Sequence, residues 1–122
     1  MSERRWDLYV RDMIECCTKV EQYTSGLDRD TFFATDATYD AVLWNLTILG
    51  EAANNVPDSV RDAHPEIPWR AVSGLRNRIV HGYVGIDDNT VWQVIREGIP
   101  ELLPQLRDLI GGANAEDSAD AG

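Results

Sequence analysis

The sequence predicts an all-α protein, an up-and-down bundle of four to five helices. Three observations carry that prediction. Apolar residues recur every three or four positions over long stretches, the spacing of a helix with one buried face. No segment alternates with period two over strand length, and no Asn-Gly or Asp-Gly hairpin turn occurs. Short breaks rich in Gly, Pro and Asn separate the periodic stretches. The length, 122 residues, suits one domain with one core.

The first helix is expected over residues 4–23, with Trp6, Tyr9, Val10, Met13, Cys17, Val20 and Tyr23 on its apolar face. Thr24-Ser25-Gly26 ends it. Asp28 or Asp30 is placed to cap a short turn around Phe32 and Phe33. A second long helix follows Thr35 or Asp36, with Tyr39, Val42, Leu43, Leu46, Leu49, Ala53 and Val56 on one face. Trp44 and Ile48 widen that stripe, which predicts contact with more than one neighbour. Pro57 opens a short helix that Pro65 stops. Pro68 reads as the first residue of the next helix, which runs through Trp69, Val72, Leu75, Ile79 and Val80. Gly82 and Gly85 bracket Tyr83 in a turn. Asp87 or Asp88 caps a last helical region marked by Val91, Trp92, Ile95, Ile99, Leu102, Leu103, Leu106 and Leu109. Pro100 and Pro104 are expected to break or kink it. Residues 1–110 form the helical domain in this reading, and residues 111–122, GGANAEDSADAG, a disordered acidic tail.

Composition narrows the function classes. Hydrophobic residues make up 43% of the chain, enough for a folded core. No apolar run approaches the roughly 20 residues of a membrane span. Charges at Asp7, Arg11 and Asp12 interrupt the N-terminal region, so no signal peptide or membrane association is expected and the protein is read as cytoplasmic. Cys16 and Cys17 are adjacent, point about 100° apart on a helix and cannot form an ordinary disulfide. Cys17 belongs to the core face and Cys16 to its edge. No metal-ligand cluster is legible, and no metal or cofactor is expected. The net charge of −10 argues against binding nucleic acid through a global positive field. Residues 67–86 nevertheless contain no Asp or Glu and carry Arg70, Arg76 and Arg78. Such a patch suits one phosphate or a short run of them.

The patch contains RNRIVHGY, residues 76–83. On an ideal helix Leu75, Ile79 and Val72 define the core direction, and Arg76 falls within the widened apolar arc. An arginine there needs a charged partner, ligand or second chain. Asn77 and His81 share the opposite side, with Arg70 between them. Arg76 and His81 sit about 140° apart on a straight helix. A groove or a dimer interface along this helix is therefore expected. A plainer account stands beside this one. Cations in a last helical turn oppose the negative end of the helix dipole, and Gly82 would be an ordinary residue after the C-cap.

Arg76, His81 and Tyr83, with Asn77 after the arginine, resemble the signature of HEPN-domain toxins of the HepT-like group. The resemblance covers roughly residues 43–106, through ILGEAANNVPDSV, PEIPWRAVSGLRN, HGYVGIDDNTVW and IPELLPQL in that order. It implies a HEPN-like helical bundle that forms a homodimer. It also implies a toxin from a bacterial or archaeal toxin–antitoxin pair, acting as a metal-independent endoribonuclease on RNA, with tRNA one candidate substrate. The implied partner is a minimal nucleotidyltransferase antitoxin that transfers AMP to the motif tyrosine, here Tyr83.

The residue chemistry suits that activity. RNA supplies its own nucleophile, the 2′-hydroxyl. Imidazole ordinarily titrates near neutrality, so a residue such as His81 can take or give a proton. A guanidinium at Arg76 can hold phosphate oxygens and stabilise developing charge, and Asn77 can orient the phosphate or the histidine. Arg70 and Arg78 are candidate RNA contacts. Two copies of the motif in a dimer would supply both a base and an acid. Modification of Tyr83 would set bulk and negative charge beside the site. Asp87 and Asp88 read better as helix caps, His64 as a surface loop residue, and Glu51 as an ion-pair partner of an arginine or an exposed helix position. The alternative function is a non-catalytic helical module that docks a nucleotidyltransferase or a nucleotide through the same Arg/His patch.

Overall fold

The computed structural model describes residues 5–81 and 86–121, with side-chain environments through residue 112. Every regular element among them is helical. Helix α1 spans Trp6–Thr24, α2 Arg29–Ala34, α3 Asp36–Asn55, α4 Asp58–Ala63, α5 Trp69–Val80, α6 Asp88–Gln93 and α7 Ile99–Ala121. A π-helical turn, Val94–Gly98, joins α6 to α7. The four long helices α1, α3, α5 and α7 make the bundle, with α3 against both α1 and α5, and α7 against α1.

Short connections force antiparallel neighbours. The start of α1 meets the end of α3, where Tyr9 shares a cleft with Asn55 and Val56. The Arg96 guanidinium, just before α7, donates to the carbonyl of Leu27 just beyond α1. Further along α7, Gln105 Nε2 donates to the Glu66 carbonyl at 3.1 Å, tying the helix to the loop before α5. One core runs through all of these, including Val10, Met13, Val20, Phe32, Leu46, Leu49, Ile67, Leu75, Ile95, Ile99 and Leu106. Full burial of a side chain such as Leu46 or Phe32 contributes about 2 kcal/mol. Ile110 is the last buried residue of α7 among the described side chains.

Helix ends follow local chemistry. The Asp28 carboxylate accepts the Thr31 N–H at 2.8 Å and starts α2. Gly26, with φ 75°, makes the left-handed turn that lets the chain leave α1. Pro68 proves to be the residue before α5 rather than its first helical residue. Pro100 and Pro104 do not break the last helix. Pro100 has no N–H to give to the turn before it. The π-helical turn, in which the Ile99 N–H reaches back to the Val94 carbonyl, carries the chain past that ring. Pro104 then lies within α7.

Several side chains sit elsewhere than their periodicity suggested. Cys16 is itself buried, though less completely than its neighbour Cys17. Tyr23 is exposed, because α1 rolls its final turn onto Thr24, whose hydroxyl donates to the Val20 carbonyl at 2.8 Å. Trp44 is 65% exposed and, among the described residues, is not one of the side chains packed against the core. Asp7 lies buried on the core side of α1, which periodicity did not indicate. Arg5 grips both of its oxygens, at 2.9 and 2.8 Å. Burial alone would raise the Asp7 carboxyl, but the Arg5 and Arg11 guanidiniums outweigh it and hold the pKa below its ordinary value.

Helices α3 and α5 cross closely at Gly50. A β-carbon there would lie 2.9 Å from the Arg76 backbone nitrogen and 3.0 Å from the Val72 carbonyl oxygen. Gly50→Ala is expected to destabilise the fold by about 1–3 kcal/mol, read as a lower urea midpoint. The cysteines give a second check. Burial pushes the Cys16 thiol up to about 11 and Cys17 up to about 12. Since the thiolate is the reactive form, neither should be alkylated by iodoacetamide at pH 8 in the folded protein, and both should be after unfolding in urea, by mass spectrometry.

Candidate functional site

The site helix is anchored from its first residue. Trp69 is buried, and its indole N–H donates to the His64 carbonyl at 2.9 Å. Its backbone N–H reaches the Ile67 carbonyl at 2.8 Å. The Ile-Pro-Trp step thus locks the loop after α4 onto the start of α5. Val72 and Leu75 bury the inner face of the helix, and the Gly50 crossing sets its register against α3.

That register brings Glu51 to Arg76. Glu51 Oε2 lies 3.3 Å from Arg76 Nε, with the side chains 56% and 43% exposed. Arg76 Nη1 also donates to Asn77 Oδ1 at 3.2 Å. Arg76 is therefore neither buried nor unpaired. It stands at the edge of the helix contact, paired to an acid from the neighbouring helix. Around it opens a cleft of about 450 Å³ lined by Glu51, Asn54, Arg70, Ser73, Arg76 and Asn77. Two guanidiniums and three neutral hydrogen-bonding side chains face a space that a phosphate and part of a nucleotide can enter.

His81 is the C-cap of α5, with its N–H on the Asn77 carbonyl at 3.1 Å and its side chain exposed. Among the described residues it makes no hydrogen bond to Arg76. One chain brings Arg70, Arg76 and Asn77 together and leaves His81 at the end of the helix. Arg78 is exposed and does not line the cleft; it bears on Asp87 instead. The Asp87 carboxylate accepts the Thr90 N–H at 2.8 Å and starts α6. That bond, chiefly, and the nearby Arg78 charge hold its pKa below the ordinary carboxylate range. Tyr83 lies outside the described residues. His64 caps α4, half-buried, with Nδ1 3.3 Å from Glu66 Oε1.

Behind α6, Phe32, Phe33, Tyr39 and Trp92 form an aromatic cluster, with Phe32 4.9 Å from Phe33 and 5.8 Å from Trp92 between ring centres. Arg29 bonds Asn89 at 2.5 Å, fastening α2 to α6. Among the described residues, no group of three or more His, Cys, Asp or Glu side chains is arranged to hold a metal ion, and no helix is long and apolar enough to cross a membrane.

Sequence reasoning missed the importance of Gly50 and Asp7 and left Glu51 between two roles. The signal for the first and last was present in the Gly-Glu-Ala-Ala stretch. Glycine inside an otherwise good helix former marks a close approach, and the acid beside it must then face the crossing helix.

An all-helical bundle with this arginine and histidine at the end of its third long helix fits the HEPN-like class. The particular family follows from comparison. Residues 13–109 match the family described as "Ribonuclease HepT-like", and the chain belongs to that family. It is 35% identical over 94 residues to "Probable ribonuclease HepT" of Thermococcus cleftensis, covering 77% of this chain and 86% of that protein. It is 31% identical over 102 residues to "Putative RNase MJ1380" of Methanocaldococcus jannaschii, covering 84% and 94%. "Putative RNase TTE0752" of Caldanaerobacter subterraneus is 28% identical over 102 residues, covering 84% and 91%. No solved structure matches the chain.

The cap at Asp87 yields a pH test. Its folded pKa is depressed, so its stabilisation is full above the unfolded value of about 3.9 and is lost as pH falls through the folded pKa. Asp87→Ala should lower the melting temperature at pH 7, and that difference should shrink toward zero in acid, followed by circular dichroism.

Proposed function

We propose that this protein is a metal-independent endoribonuclease, the toxin of a toxin–antitoxin pair, with tRNA among its candidate substrates. The observation that carries the reading is the half-exposed Arg76 on a cleft shared with Arg70 and Asn77, on the same helix that ends in His81. Family membership and relatives named as ribonucleases support it.

The reaction would run through the RNA's own 2′ oxygen. That oxygen attacks the adjacent phosphorus, its proton passes to a base, and the bond from phosphorus to the 5′ oxygen breaks. The 5′ oxygen takes a proton from an acid, leaving a 2′,3′-cyclic phosphate and a 5′-hydroxyl. Arg76 stabilises the crowded phosphate in the transition state. Asn77 orients it, and Arg70 holds a neighbouring phosphate. Arg78 is the outer contact of this reading, at the end of the helix beyond the cleft.

His81 is the proton carrier, and one imidazole cannot be base and acid in the same step. A homodimer resolves this by bringing a second His81 to the reacting group. Two exposed apolar side chains flank the site and favour such a partner. Val80, 52% exposed, lies one turn beyond Arg76, and Trp44 lies two turns from Glu51 on the same side of α3. AMP transfer to Tyr83 by a minimal nucleotidyltransferase would neutralise the enzyme, since the added phosphate repels RNA.

The test is cleavage of total cellular RNA and purified tRNA by the free protein with chelator present, beside His81→Ala. Discrete fragments ending in cyclic phosphate are expected from the parent protein. The variant should cleave at least about a hundredfold more slowly while keeping its helical signal and its dimer. Intact RNA from folded, unmodified protein would instead leave the cleft as a docking surface for a nucleotidyltransferase or nucleotide.

A further inference from the structure

Glu51 is an odd neighbour for a phosphate-binding arginine. Residues 67–86 carry no acid of their own, and among the described residues the one carboxylate on the cleft comes from a different helix. A negative charge there repels RNA and lowers affinity. The pair does not earn its place through stability either, since an ion pair as exposed as this one contributes little. Yet its placement is tightly determined. Gly50 packs against the backbone of Arg76, so the next residue of α3 must emerge beside the Arg76 side chain.

The contacts show what the carboxylate does to the guanidinium. Glu51 engages Nε, and Asn77 accepts from Nη1. Among the described residues Nη2 makes no hydrogen bond. The ion pair at Nε and the hydrogen bond from Nη1 both restrain the guanidinium. Arg76 lines the cleft, so a phosphate entering it can take the Nη2 donors.

We propose that Glu51 is a positioning residue that clamps Arg76 through Nε, so that the Nη2 donors address the phosphate undergoing cleavage. This rests on the ribonuclease reading above. The design sacrifices some affinity for RNA and gains a guanidinium that needs no reorganisation in the transition state.

Glu51→Gln and Glu51→Ala test it, because glutamine keeps an acceptor for Nε–H and alanine does not. In steady-state cleavage of tRNA, both variants should lower KM, as a charge that repels phosphate is gone. Glu51→Gln should retain most of kcat. Glu51→Ala should lose about tenfold to a hundredfold in kcat, the cost of a misaimed group. Melting temperatures should stay close to the parent's. Unchanged kcat in Glu51→Ala overturns the inference and leaves the ribonuclease reading standing. Equal loss in both variants also overturns it, because the carboxylate would then be moving a proton itself, as does a kcat loss that tracks unfolding.

A second measurement does not need cleavage. In the free protein, the Arg76 Nε–H followed by ¹⁵N NMR should exchange with solvent more slowly in the parent and Glu51→Gln than in Glu51→Ala. Equal exchange in all three removes the clamp whatever the RNA result. Slow exchange in a parent that cleaves no RNA would fail the ribonuclease reading and, with it, the catalytic role of the clamp.

Discussion

The contact of α3 with α5 at Gly50 is the constraint on which the site depends. A hydrogen in place of a side chain lets the two backbones meet, with the Arg76 nitrogen where a β-carbon would otherwise lie. Helices that cross this closely cannot slide past one another, because each residue of the neighbour occupies a groove of fixed shape. The pairing of Glu51 with Arg76 follows from that register. So does the cleft, since Arg70, Ser73 and Asn77 must then fall on its wall.

The rest of the bundle serves to hold this one helix at both ends. At its start, the buried indole of Trp69 bonds the loop that precedes it. Beyond its end, the Asp87 cap and the aromatic cluster hold α6 in place. Core burial in α1, α3 and α7 supplies most of the stabilisation, while polar groups along α5 contribute little to stability and are free to serve chemistry. An acidic protein can therefore keep a small cationic cleft. The net charge of −10 favours engagement at one place over adhesion to any strand.

Much of this was legible before any coordinates. Apolar spacing located the four long helices, and Asp28 and Asp87 announced their capping roles through their positions before helical turns. The motif from Arg76 to Tyr83 drew attention to the right helix. Other features were hidden for identifiable reasons. Trp44 looked like core because periodicity reports the side of a helix and not whether anything covers it. Asp7 looked exposed because charge ordinarily means solvent, whereas two arginines near it in sequence make its burial tolerable. Pro100 looked like a helix breaker because the ordinary turn has no room for it, and a wider turn does.

By itself the sequence determined an all-helical chain, the bounds of α1, α3 and α5 to within a residue or two, and the residue types available for phosphate chemistry. These are properties of neighbours along the chain, where spacing, capping and missing N–H groups act within one or two turns. Only the tertiary structure decided that Arg76 meets Glu51, that Arg70 shares its cleft and that Arg78 lies outside it. Those pairings depend on how closely two helices approach and in what register. That is settled by the shape of side chains, or the lack of one at Gly50, on elements far apart in sequence.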